Sequence, residues 1–238
     1  MTLEQIMLAT MHKYKILSGS WLKIIAMATM LVDHVAYFLL RGQAEWMEPL
    51  FAVGSRQVSC YFLMRCVGRL AFPLFAFLIV EGFRHTRSRR AYGRNLLLFA
   101  LLSEMPWRLL HPAGHNVMFT LLLGFLGMWA IERFRSSRRR QAAALLGLCV
   151  FAFVFRADYG VAGFAFILLL YVLRRHLLLQ AIIGSCMLPM RWVPGLAFIP
   201  IALYNGRRGF IRGRWAKYLF YAFYPLHLLL LWLVQELN

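Results

Sequence analysis

An aspartate followed by a histidine, Asp33-His34, stands inside the apolar run of residues 22–40. At 1.5 Å per residue Asp33 lies about 15 Å along a helix from Lys23, near the middle of a bilayer. A carboxyl group there costs about 2.5–3.5 kcal/mol to insert, so it needs a partner or a use. An imidazole titrates near neutrality and can take a proton from an amine or a hydroxyl. Further polar residues recur in or beside other apolar runs: Arg69, Glu81, Glu104, Asn116, Asp158, Tyr224 and His227. Adjacent residues on a helix point about 100° apart, so Asp33 and His34 do not form a dyad. Arg69 is the expected cation for Asp33, and Glu104 or Tyr224 the expected neighbour of His34. Tyr224 and His227, three residues apart, share a helix face.

These groups must be held by apolar helices. Hydrophobic residues make up 61% of the 238, charged residues 15%, where a soluble domain is about half apolar and a quarter charged. The chain therefore reads as an all-α, polytopic membrane bundle: a cytoplasmic segment, 1–20, and one transmembrane domain, 21–238. Residues 1–20 are weakly amphipathic and suit a short interfacial helix. Spans are expected over 22–40, 58–83, 95–110, 116–131 and 218–234. Two hairpins of shorter helices are expected between them, 142–155 with 161–173, and 177–188 with 192–204. Pro73 removes an amide donor and predicts a kink that frees the carbonyl of Arg69. Glu81 and His85 fall on one face at i, i+4.

The net charge of +18 would suggest nucleic acid for a soluble protein, but no nucleic-acid-binding motif accompanies it. Most of the 27 Lys and Arg instead fall in residues 13–23, 84–94, 133–140, 174–175 and 207–217. These are alternate loops if the chain crosses about nine times, with the N-terminus cytoplasmic and the C-terminus outside. The four cysteines, Cys60, Cys66, Cys149 and Cys186, show neither metal-site spacing nor a disulfide framework. No removable signal peptide is recognisable at the start.

The strings MLVDH, GRLAFPLFAFLIVEGFRHTRSRRAY, LLSEMP, NVMFTLLLG and the terminal YAFYPLHLLLL resemble, in order, the TraX family of membrane proteins. The last also resembles, more loosely, the acyltransferase 3 membrane proteins. The resemblance implies acetyl transfer from acetyl-CoA to an acceptor at or across the bacterial inner membrane. The acceptor would be a pilin N-terminus, another envelope-protein amine, or a surface glycan. Carried over by position, the DH motif falls on Asp33 and His34, the arginine before AFP on Arg69, and the VEG acid on Glu81. Glu104 takes the SE-x-P position, Asn116 opens NVMFT, and Tyr224 and His227 belong to YPLH.

On that basis His34 is the expected base, or a nucleophile that carries the acetyl group. Asp33 and Arg69 balance charge, while Glu104, Asn116 and His227 position the acceptor or stabilise the tetrahedral intermediate. Arg84 and Arg87, with Arg89 and Arg90, are placed to attract the phosphates of CoA; no metal is expected. Two readings from other classes remain open. A proton-coupled transporter would use Asp33, Glu104 and His227 as a relay, but the halves show no repeat. A pilus or conjugation assembly factor would use the polar layer only for helix association.

Overall fold

The computed structural model describes residues 15–188, 190 and 192–237. The interfacial helix expected in residues 1–20 falls mostly outside them, as does Pro189. The remainder is mostly helical. Helix α1 (Gly19–His34) continues through a π-helical turn, Val35–Leu40, and a short α2 (Ala44–Met47) follows.

Strands β1 (Pro49–Val53) and β2 (Arg56–Ser59) then form an antiparallel hairpin between the first two expected spans, where an all-α chain needs only a connecting loop. Its signal was present: Gly54-Ser55 stands between two short β-prone runs, a two-residue turn pattern, and Gly54 takes φ +61° there.

The second span is interrupted at Arg69-Leu70, between α3 (Cys60–Gly68) and α4 (Ala71–His85). Pro73 stands in the first turn of α4, and its missing amide removes the i+4 partner of the Arg69 carbonyl, at the place the sequence predicts a kink. Helix α5 (Arg89–Leu110) begins earlier than expected, because Ser88 caps it by accepting from the Ala91 amide at 3.2 Å. Helix α6 (Val117–Arg133) starts at Asn116, whose side chain accepts from the Met118 amide at 3.0 Å.

Helix α7 (Arg138–Phe155) has 18 residues, about 27 Å of helix, so it is not the short element expected. Helices α8 (Gly160–Val172) and α9 (Leu177–Met187) match the expected pieces. The segment after them divides into α10 (Trp192–Gly195) and α11 (Phe198–Ala202). Helix α12 (Arg214–Leu237) closes the chain.

Among the described residues, three stretches are long and apolar enough to cross a membrane: Gly19–Leu40, Cys60–His85 and Trp215–Leu237. Gly160–Val172, Leu177–Met187 and Trp192–Ala202 are shorter apolar helices; these lengths support a polytopic helical bundle and not a particular count of crossings.

The core lies among α1, α4, α5, α6 and α8, where Leu22, Leu74, Phe83, Leu96, Phe125, Phe166 and Ile167 are fully buried. Gly124 lets α6 approach α8, since a Cβ there would meet Ile167 at 2.5 Å. Small residues at a helix crossing are how bilayer helices pack closely. Helix α7 turns Leu146, Val150, Phe151, Phe153 and Val154 outward, and α12 does so with Leu219, Leu226 and Leu230. Apolar surface of that extent suits hydrocarbon, not water.

A polar cavity and a histidine pair at one end of the bundle

A cavity of about 210 Å³ opens where five segments end or begin. The close of α1 contributes Asp33, His34, Tyr37 and Phe38, and the α3–α4 junction contributes Arg65, Arg69 and Phe72. Trp107 and His111 enter from the end of α5, Val117 from the start of α6, and Asp158 and Tyr159 from the turn before α8.

Asp33 is the charge centre. Its carboxylate lies 2.8 Å from Arg65 and 3.5 Å from Arg69. The expected Asp33–Arg69 pair is there, but Arg65 is the nearer cation and the sequence reading gave it no role. Arg65 also lies over the Tyr37 ring, 4.7 Å from its centre, and donates to the Asp33 carbonyl at 3.4 Å. The helix break brings both arginines to one carboxylate. Gly68 makes room for it, because a Cβ there would fall 2.2 Å from the Asp33 side chain. Gly68→Ala is expected to force α3 off α1 and to destabilise the protein by about 1–3 kcal/mol. Unfolding in detergent would measure it, and an unchanged midpoint would show that the close approach is dispensable.

Of the two neighbours expected for His34, Tyr224 is beside it and Glu104 is not; the polar partner is a second histidine. His34 Nδ1 is 2.7 Å from Nε2 of His227 on α12, with the rings stacked at 5.0 Å. Tyr224 packs edge-on against both, at 6.2 Å from His34 and 5.4 Å from His227, so the YPLH residues do converge on the DH motif.

Hydrogen-bond direction then follows from elementary constraints. Nδ1 of His227 lies 2.8 Å from the carbonyl of Phe223, and a carbonyl can only accept, so that nitrogen carries the proton. Nε2 of a neutral His227 is then an acceptor. His34 therefore donates from Nδ1 and keeps a lone pair on Nε2. Such an imidazole can take a proton from a group in the cavity.

The turn at Asp158-Tyr159 forms the opposite wall. Arg156 and Tyr159 adopt the left-handed conformation, at φ 50° and 60°, which costs about 1–2 kcal/mol for a residue with a Cβ. Backbone bonds from His115 to Arg156 and from Asp158 to His115, at 3.1 and 2.9 Å, hold the turn. Tyr159 stacks on Phe72 at 4.0 Å, and Thr120 donates to the Asp158 carbonyl. Burial pushes the Asp158 carboxyl up to about 6, against the pull of the Tyr159 amide and of Arg69.

Glu104 and Asn116 form a neighbouring cluster outside the cavity lining. Glu104 holds Arg108 at 2.7 Å, His115 at 2.6 Å and the Asn116 amide group at 2.8 Å. Asn116 also donates to the Ala100 carbonyl at 2.9 Å. This cluster fastens the end of α5 to the start of α6, which places Trp107 and Val117.

Glu81 lies 12 residues past Arg69 on α4, about 18 Å away. It pairs with Arg84 at 2.5 Å and lies 3.8 Å from His85. Arg84 and Arg87 are thus at the far end of α4 from the cavity, both exposed. Arg65, Trp107 and Tyr159, which line the cavity, drew no role from sequence. Arg65 alone left a signal, a second arginine one helical turn before Arg69.

Lipid-facing helices around a polar cavity define a helical membrane protein. Residues 18–235 match the family model described as TraX protein. The chain belongs to the TraX family. It is 30% identical over 252 residues to the probable fimbrial assembly protein FimC, serogroup H1, of Dichelobacter nodosus, covering 90% of this chain and 94% of that relative. No solved structure matches it.

Proposed function

We propose that this protein transfers an acetyl group from acetyl-CoA to an amine or hydroxyl acceptor at or across the bacterial inner membrane. The observation that carries the reading is His34 on the cavity wall, hydrogen-bonded behind it to His227. The acceptor's lone pair forms a bond to the acetyl carbonyl carbon and the carbon–sulfur bond breaks. His34 Nε2 takes the acceptor's proton and returns it to the departing thiolate, so the products are acetylated acceptor and CoA thiol. His227 holds the His34 tautomer, Tyr224 packs the pair in place, and Asp33 pairs with both Arg65 and Arg69. Glu104 and Asn116 act one step removed, through the helix ends they fasten.

A cavity of about 210 Å³ is smaller than the roughly 300–1,000 Å³ that surrounds a drug-sized ligand. It suits the acetylated thiol end of CoA and not the nucleotide. On this reading the phosphates stay near Arg84 and Arg87, about 22 Å along α4 from Arg69, with Glu81 ordering Arg84. The N-terminus is cytoplasmic and the C-terminus outside, as the basic loops favour.

His227→Phe keeps a ring in place but removes the acceptor for the His34 N–H. It is expected to lower transfer about 10²-fold or more. His227→Gln offers an amide oxygen to the same N–H and should recover part of the rate, which a packing role does not predict.

The printed name of the Dichelobacter nodosus relative favours a pilus or fimbrial subunit as the acceptor. It also supports a second reading, a non-catalytic assembly factor. Membranes incubated with labelled acetyl-CoA separate the two. Acyl transfer predicts a labelled acceptor with the wild type and not without the protein, whereas an assembly factor leaves every acceptor unlabelled.

A further inference from the structure

We infer that the indole N–H of Trp107 is the donor that stabilises the oxygen of the carbonyl group attacked in the cavity. This rests on the acyl-transfer reading. A base at His34 accounts for the proton, but negative charge also develops on the carbonyl oxygen, and it needs a preorganised donor.

Other donors line the cavity, and Nε of Arg69 and Nδ1 of His111 also lack a protein partner, but the Arg69 guanidinium pairs with Asp33 and an imidazole nitrogen can accept as well as donate. Arg65 is held by Asp33 and the Tyr37 ring, and the His34 N–H by His227. Trp107 lines the same cavity and is only 7% exposed. Its Nε1 is buried and has no protein acceptor. An indole nitrogen can only donate, so the acceptor it calls for is an oxygen carried by a ligand.

The position fits the base. The Trp107 and His34 ring centres are 6.3 Å apart and tilted by 54°, so the two rings can flank one reacting group, the acceptor atom at His34 and the carbonyl oxygen at the indole. Phe38 at 6.2 Å and His111 at 5.2 Å pack the indole in place. In the step itself the carbonyl π electrons move to oxygen as the acceptor bonds to carbon. The indole proton is shared with that oxygen and not transferred.

The test compares purified wild type, Trp107→Phe and Trp107→His for transfer from labelled acetyl-CoA. Trp107→Phe should lower kcat about 10²–10³-fold with KM for the acceptor within about twofold of wild type. Trp107→His, which can present an N–H, should recover part of kcat. A Trp107→Phe protein with wild-type kcat overturns the inference and leaves the acyl-transfer reading standing. A wild type that labels no acceptor overturns both. Should Trp107→Phe fail to insert, wild-type indole resonances decide. One N–H signal should move downfield on addition of a ketone analogue of acetyl-CoA, and none moving overturns the inference.

Discussion

In membranes carrying His34→Ala, labelled acetyl transfer is expected to fall about 10²–10⁴-fold, with insertion and folded amount at the wild-type level. The residue is half-buried at the end of α1, and its Nε2 holds a lone pair beside the cavity. Its removal takes away the base and frees the acceptor nitrogen of His227. His227 is buried, so leaving that nitrogen without its donor costs about 1–3 kcal/mol. His34→Gln keeps an amide donor for His227 but has no basic nitrogen, so it should fold like wild type and remain inactive. Full transfer by a well-inserted His34→Ala protein would sink the catalytic assignment. Normal pilus assembly by that protein, with no labelled acceptor from either form, would favour the assembly-factor reading.

Asp33→Ala is expected to produce the largest loss of stability, about 3–5 kcal/mol. Only 15% of the Asp33 side chain is exposed, and the two arginines it holds are exposed by 18% and 14%. Removing the carboxylate leaves two guanidinium groups in a confined site with no anion between them. The effect is read as a lowered unfolding midpoint in detergent. Combining Asp33→Ala with Arg65→Met and Arg69→Met should restore much of the loss, because replacing a whole buried ion cluster by apolar side chains is often neutral. A single Asp33→Ala change that left the midpoint unmoved would mean that water already screens the arginines.

The contrast between Asp33 and His34 shows how far a sequence can be read. The partner of Asp33 was partly foreseeable, because a charge at that depth must find an opposite charge and few were on offer. Arg69 was accordingly expected, and Arg65, one turn earlier, was within reach of the same argument. His34 was different. Its partner, His227, is 193 residues away, and an uncharged imidazole imposes no sign on its neighbour. Which residue it meets depends on how α12 is rotated and how deep it sits against α1, and those follow from packing at many positions together.

Composition, hydropathy and loop charge determined the class: an apolar helical chain that belongs in a bilayer, with polar residues too costly to be there by accident. These are local or additive properties, since the transfer cost of each residue into hydrocarbon depends little on its distant neighbours. Tertiary structure alone decided the sharing of Asp33 by two arginines and the gathering of Trp107 and Tyr159 in the cavity with His34. It also set Glu81, Arg84 and Arg87 at the far end of α4, and drew Glu104 and Asn116 into a cluster that fastens helices. A side chain's direction on a helix turns by about 100° with each residue, and helix crossings depend on close approaches such as Gly68 on Asp33. The chemistry of the site was therefore written in residue types, but its membership was settled by packing.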